Sequence, residues 1–359
     1  MSQTIRTVLA APCIGLMATL LSTAAMADVP KVVTDIAPVQ SLVATVMAGL
    51  GEPSLIVRPG ASPHGYSMRP SEAQALEQAD LVIWIGEGLT PWLEDPIETL
   101  AADAHKIELM SVNGTILHDY REGATFAAHD HDKDEHGHGK EAEADDHDHD
   151  HEKAEKAGSH DDHNHKKEAE AEAHSHAEKD DAHDDHDHAG ADAHVWLDPV
   201  NARLWLGIIA DELSELDPDN AAIYAANAAT GQAELEALEA ELSAALGTFA
   251  DTGFLVFHDA YQYFERRFGL SALGAISLSD ATPPSAGRIA ELQATVADME
   301  AICVFAEPQF NRDVIDSVFA GSANVGMLDP LGVEIEPGAA LYTLVLRNMA
   351  SEFTSCLGK

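Results

Sequence analysis

Basic residues are scarce in this chain, with 20 Lys plus Arg against 62 Asp plus Glu, and the formal charge of −42 leaves no basic patch of the kind nucleic acid demands. Cysteine is scarcer still. Cys13, Cys303 and Cys356 include no close CxxC pair, which argues against a cysteine-based zinc site. Past the N-terminal stretch, no run approaches the roughly 18 to 20 consecutive apolar residues of a spanning helix, so the mature protein is expected to be soluble. Neither an HExxH helix nor a GxSxG nucleophile elbow occurs, so two common hydrolase signatures are missing.

Histidine, by contrast, is abundant. Fifteen of the 20 histidines fall in one tract, at His129, His131, His136, His138, His147, His149, His151, His160, His163, His165, His174, His176, His183, His186 and His188. Between them lie 23 Asp or Glu and seven Lys, a local balance of −16, so the rest of the chain is acidic too. So few apolar residues cannot offset the entropy of ordering the backbone, and a disordered, solvated insertion is expected. An acidic solubilising loop would need only carboxylates. Neutral imidazole is the commonest protein ligand for borderline metals such as zinc, nickel and copper, so the tract points to auxiliary, low-affinity metal binding.

The start of the chain reads as an export signal over residues 1–27: Arg6, a mostly apolar run over 8–21, and the small residues of Ala25-Met26-Ala27 before a mature start at Asp28. Pro12 and the apolar residues beyond Cys13 suit a lipidated start poorly, so Cys13 is expected to leave with the signal. Cys303 and Cys356 then remain in an oxidising compartment, where a disulfide closing so long a loop would contribute about 4 kcal/mol. Two separate buried thiols are the alternative.

About 260 residues remain, enough for two lobes. Over 28–219, apart from the insertion at about 119–192, strand-like runs at 32–36, 54–57 and 81–85 alternate with helical patterns at 38–50 and 71–78, and 58–70 is a Gly- and Pro-punctuated loop. Over 247–359 the pattern recurs, with strands at 254–257, 301–305 and 325–328 and helices at 261–268 and 312–319. Short apolar strands separated by helices predict an α/β fold with a mostly parallel sheet, flanked by helices, in each lobe. A single helix over 220–246, with an apolar stripe at Leu235, Leu238, Leu242 and Leu246, is expected to join the lobes, and Gly231 is where it could bend.

Three histidines outside the tract occupy comparable places. His64 lies in the loop after a strand, His194 where order resumes before a helix, and His258 at the end of the 254–257 strand. Ligands of open α/β sheets bind beyond the carboxyl ends of the strands, and three imidazoles meeting there leave a fourth position for a carboxylate or water, as zinc accepts. Taken singly, each could be a surface or structural histidine.

These residues sit in Gly60-Ala61-Ser62-Pro63-His64, His194-Val195-Trp196-Leu197-Asp198-Pro199 and Val256-Phe257-His258-Asp259-Ala260-Tyr261, followed by Ala306-Glu307-Pro308-Gln309-Phe310 and Leu328-Asp329-Pro330-Leu331-Gly332. In order and spacing, with the His-rich insertion just before His194, the chain resembles the periplasmic zinc-binding proteins of bacterial zinc-uptake ABC transporters, within the metal-specific solute-binding proteins that have a helical inter-lobe linker. The resemblance implies a monomer in the periplasm with Zn(II) as transported ligand in the inter-lobe cleft. Its implied partners are a membrane permease with its cytoplasmic ATPase and, as an optional further partner, a periplasmic zinc chaperone; catalysis is not implied.

The same resemblance implies metal ligands at His64, His194 and His258. Imidazole at the third position, where manganese-binding relatives tend to have a carboxylate, favours zinc. Cys303 and Cys356 match a disulfide of the zinc-specific branch. Some zinc-specific relatives have Glu before the first ligand histidine, whereas this chain has Pro63, so the fourth ligand falls to Asp329 or to water. Glu307 is a supporting candidate, unless it only bonds neighbouring backbone. A metal-dependent adhesin or secreted zinc scavenger, and more remotely a zinc hydrolase, are the alternatives. Modest lobe closure on metal is expected, with response of the cleft loops alone as its rival.

Overall fold

The computed structural model describes residues 29–121, 126, 190–277, 287, 301–309, 318–319, 321 and 323–359. The expected signal, the fifteen tract histidines and most of the expected 312–319 helix lie outside these residues.

The first sheet is built from β1 (Val32–Thr34), β2 (Ser54–Leu55), β3 (Leu81–Trp84) and β4 (His105–Glu108), in the order β2-β1-β3-β4, with every pair parallel. Helices α1 (Ala37–Val46), α2 (Pro70–Glu77) and α3 (Glu94–Leu100) connect these strands. After α4 (Pro199–Leu216) and α5 (Ala221–Leu246), the second sheet repeats that topology with β5 (Phe254–His258), β6 (Gly274–Ser277), β7 (Cys303–Ala306) and β8 (Asn324–Met327), in the order β6-β5-β7-β8. Helix α6 (Gln262–Phe268) follows β5, and α7 (Leu341–Leu357) closes the chain. In each sheet the strand order reverses at the first strand, so the crevice at the carboxyl ends of β5 and β7 is a topological switch point.

Both central strands are apolar on both faces, as a parallel sheet covered by helices requires. One hydrophobic cluster runs through both lobes, taking in Val32 and Ile83 of the first sheet, the buried leucines of α5, and Phe254, Phe305 and Phe353 of the second. Gly231 has a packing role within it. A β-carbon there would lie 3.0 Å from both Leu206 of α4 and Thr45 of α1, so the glycine lets three helices approach inside an unbroken α5 rather than marking a bend.

The two sheets are also stitched together by hydrogen bonds. The Trp196 indole donates to the Pro330 carbonyl (2.9 Å), and the Tyr342 hydroxyl donates to the Trp196 carbonyl (2.7 Å). The Ser41 hydroxyl in α1 donates to the Ala339 carbonyl and accepts from the Tyr342 amide. Rigid-body closure would have to break these buried bonds or carry them along, so the expected closure gains no hinge from this architecture.

Asp35, just past β1, is fully buried and clamps β1 to β3. Its Oδ1 accepts the Ile36 amide (2.7 Å) and its Oδ2 the Ile85 amide (2.8 Å). Burial pushes its pKa from 3.8 up to about 7 against the pull of those donors. The folded protein therefore keeps a proton that the unfolded chain has lost, so this contribution to stability is complete below about pH 4 and is lost as pH rises through 7. Between pH 5 and 8 the loss comes to about 3 kcal/mol. Urea denaturation of Asp35→Asn, which stays neutral, should show a correspondingly smaller fall across that interval than wild type. An unchanged pH slope would show that Asp35 is ionised in the fold.

Candidate metal centre

The sequence of β5 ends on His258, which is 3% exposed, and Glu307 follows β7, the neighbouring strand, with no exposed surface. Parallel pairing of β5 with β7 thus sets an imidazole beside a carboxylate: His258 Nδ1 lies 2.6 Å from Glu307 Oε1. His194 sits at the start of the single 3₁₀ turn Val195–Leu197. Its Nδ1 is 2.7 Å from Asp192 Oδ1, which also accepts the His194 amide at 3.0 Å.

An acceptor-only carboxylate at Nδ1 claims the ring proton, which makes Nε2 the ring's ligating nitrogen. Those two Nε2 atoms face each other 3.4 Å apart. Zinc–nitrogen bonds of about 2.0–2.1 Å at tetrahedral angles put two ligand nitrogens roughly 3.3–3.4 Å apart, so the pair stands at the spacing one zinc ion would impose.

His64 approaches from the first lobe. It occupies the short turn Pro63–Gly65, half-buried, with its ring centroid 5.8 Å from that of His194. The turn is pinned from behind by the Trp92 indole, which donates to the Pro63 carbonyl at 2.7 Å. Beside it, buried Glu72 accepts from Arg58 Nε, the Tyr66 hydroxyl and the Arg69 amide. The three rings are neighbours but not a closed shell: among the described residues no three His, Cys, Asp or Glu side chains converge closely enough to hold a metal ion. His194 and His258 form the close pair, and the His64 ring stands beside His194.

Asp329, past β8, organises its own loop. Oδ1 accepts the Gly332 and Leu331 amides (2.8 and 3.3 Å) and Oδ2 the Val333 amide (2.7 Å), around a glycine at φ +71°. Burial raises its pKa and these backbone donors oppose the rise. Tyr261 lies within reach of two of these carboxylates: burial first, then Glu307 and Asp329, raise its hydroxyl well above the ordinary value, and that hydroxyl makes no hydrogen bond of normal geometry. Cys303 and Cys356 form a disulfide.

Glu307, a supporting candidate from its position, bonds the ring of His258. Asp192 and Trp92 were not anticipated. A signal for Asp192 was present, since a carboxylate two residues before a candidate ligand histidine can reach back to its ring; the Trp92 contact spans 29 residues and has no local signature.

Twin parallel sheets of one topology are bridged by a long helix, with His258 at a strand end and His194 and His64 in short turns near it. The fold is shared with a zinc-bound ZnuA deletion mutant (TM-score 0.64, 23% identity, covering 92% of this chain and 98% of that one). It is also shared with the solute-binding protein FpvC of Pseudomonas aeruginosa in complex with Mn2+ (TM-score 0.66, 18% identity, 92% and 99%), and with the laminin-binding protein Lmb of Streptococcus agalactiae (TM-score 0.61, 20% identity, 90% and 99%). The chain belongs to the ZnuA family, the periplasmic component A of zinc-uptake complexes, whose model matches residues 32–356. It is 41% identical to the high-affinity zinc uptake system protein ZnuA of Paracoccus denitrificans over 95% of this chain and 97% of that one, and 43% identical to that of Brucella suis over 91% and 92%. Members of this family are transport components rather than enzymes. Among the described residues no helix is long and apolar enough to cross a membrane.

Proposed function

We propose that this protein captures Zn(II) through the Nε2 atoms of His64, His194 and His258 and delivers it to the permease of an ABC importer driven by a cytoplasmic ATPase. The observation that carries the reading is the 3.4 Å spacing of two imidazole nitrogens whose other ring nitrogens are each taken by a buried carboxylate. Such carboxylates fix the tautomer and raise the basicity of the ligand. In this reading residues 28–219 and 247–359 are the two lobes and 220–246 the link between them.

Asp329 takes the fourth position, with water as its rival. Backbone amides of Leu331, Gly332, Val333 and Glu334 already draw on the Asp329 carboxylate, so it would have to share or give up one of these donors to ligate, which is why water is its rival. Zinc is favoured by the nitrogen-rich donor set and by the zinc-uptake relatives, whereas manganese would find at most one hard protein oxygen, that of Asp329. The fifteen tract histidines serve as an auxiliary collector that takes several ions weakly, because ordering a flexible chain around metal lowers affinity.

Calorimetry on the protein with residues 127–189 deleted tests the reading. One tight zinc site should remain, the weak additional sites should be lost, and manganese should fail to displace zinc at comparable concentration. Each imidazole must be neutral to ligate, so affinity should fall as pH drops. A folded deletion protein without a tight site would place zinc capture in the tract and reject the cleft.

A further inference from the structure

The chain departs toward the insertion through residues 118–121 and returns through 190–192, and these two ends are joined. Asp119 and Ala191 form an antiparallel bridge, the Tyr120 amide donates to the Gly190 carbonyl (3.1 Å), and the Asp192 amide donates to the His118 carbonyl (2.8 Å). The returning end supplies Asp192, the carboxylate on the His194 ring. The departing end supplies Arg121, which reaches Asp259, the residue directly after the other histidine of the pair.

Arg121 ties this stem to the turn after His258 and to α6. Its Nε donates to both oxygens of Asp259 (2.9 and 3.1 Å), the residue directly after His258, and its Nη1 and Nη2 donate to the two oxygens of Glu265 in α6 (2.9 Å each). Glu265 is held in turn by the Ala272 amide (2.8 Å), and the Phe126 ring covers the guanidinium at 3.8 Å. All three charged groups are nearly buried, at 11% exposure for Arg121, 8% for Asp259 and 2% for Glu265. A circuit therefore runs from His194 through Asp192 and the paired stem to Arg121, then through Asp259 to His258, and it closes where the two Nε2 atoms face each other.

We infer that Arg121 is a positioning residue for the metal centre: its forked contacts lock the stem of the insertion to the turn after His258 and so fix the spacing of the His194 and His258 imidazoles. The inference rests on the metal-site reading above. A planar fork is needed because one group must meet two carboxylates in fixed directions, which a lysine ammonium does not reproduce.

The test uses the full-length chain carrying Arg121→Lys or Arg121→Gln. Zinc affinity is measured by competition with a chelator strong enough that only the tightest site competes, and the visible spectrum of cobalt(II) is recorded at less than one equivalent. Folded variants should lose about tenfold or more in affinity, the range for residues that orient a metal ligand, and their cobalt band should weaken or shift as tetrahedral spacing is lost. A lower melting temperature with affinity within twofold of wild type and an unchanged cobalt band overturns the inference and leaves Arg121 as scaffold. If neither variant folds, Asp259→Asn is judged by the same two criteria. His258→Ala in the same assay separates the two claims. Wild-type affinity in that variant rejects the metal site itself, whereas loss there with none in the Arg121 variants rejects only the positioning role.

Discussion

Replacing His258 by alanine should lower zinc affinity at the tight site by at least about 100-fold while the protein remains folded. Zinc binding at structural peptide sites is worth about 10–16 kcal/mol, which sets the scale at roughly 3 kcal/mol for one of four ligands, and every 1.4 kcal/mol is tenfold. The loss is compounded because Glu307, fully buried, keeps its carboxylate but loses the ring it bonds. Glu307→Gln is the graded companion. It preserves shape and keeps an acceptor but removes the charge that polarises the ring, and it should cost about 10- to 100-fold. Competition against a fluorescent chelator, on protein checked by circular dichroism, reads both. Wild-type affinity in His258→Ala would remove His258 from the ligand set, and equal losses in the two variants would mean that Glu307 acts as more than a support.

The order of these effects follows from where each histidine is mounted. His194 and His258 are held on one continuous body. The Tyr263 hydroxyl of α6 donates to the Asp192 carbonyl, Arg267 of α6 pairs with Asp198 at the start of α4 (2.7 Å), and both rings are buried. His64 sits on a surface turn held mainly by the Trp92 indole. A ligand can shift a conformational equilibrium only through its different affinity for the two states. Here the state that costs least to change is the 58–70 loop, because lobe rotation would disturb the buried bonds around Trp196 and Tyr342.

Much of this architecture was legible where one strong signal acts alone. The apolar run ending at His258, the leucine stripe of α5 and the run at 81–85 each specify an element by periodicity, and all three form. Other elements carry weaker local signals. Strand β4 reads His-Lys-Ile-Glu with only Ile107 well buried, and α3 has a proline at its third residue and only Ile97 buried. Helix α1 stops at Val46 instead of continuing to 50, where Gly49 at φ +84° turns the chain. Helix α7 is different. Its buried residues Leu341, Tyr342, Val345, Leu346, Met349 and Phe353 repeat at helical spacing, so the signal is in the sequence although 341–357 is unassigned above.

The histidines themselves were legible as residues at strand and loop ends. Their spacing was not, because the contact of His258 with Glu307 spans 49 residues and exists only once β5 and β7 are paired, and that of His194 with His258 spans 64 and exists only once the turn at 195–197 packs beside β5.

Loss of the Cys303–Cys356 disulfide should cost about 4 kcal/mol of stability and leave zinc capture nearly unchanged. The bond joins the first residue of β7 to the last turn of α7 across a sequence separation of 53, and closing a loop of that length removes entropy from the unfolded chain by about that amount. At about 2–4 °C per kcal/mol for a chain of roughly this size, the melting temperature should fall by roughly 8–16 °C. The folded site should tolerate the loss because β7 is held independently, by parallel pairing to β5 and β8 and by Phe305 packing against Phe254 and Phe353. Glu307 therefore stays beside His258 without help from the crosslink. Calorimetry of the oxidised protein, the reduced protein and the Cys303→Ala/Cys356→Ala variant, each with and without zinc, separates the two statements. Reduced protein and variant should melt together, well below the oxidised form, with zinc affinity at 25 °C within a few-fold of wild type. A melting temperature lowered by less than 2 °C would show that the unfolded chain is not constrained by the bond, and a tenfold loss of zinc affinity at full folding would make the disulfide part of what holds Glu307 in place.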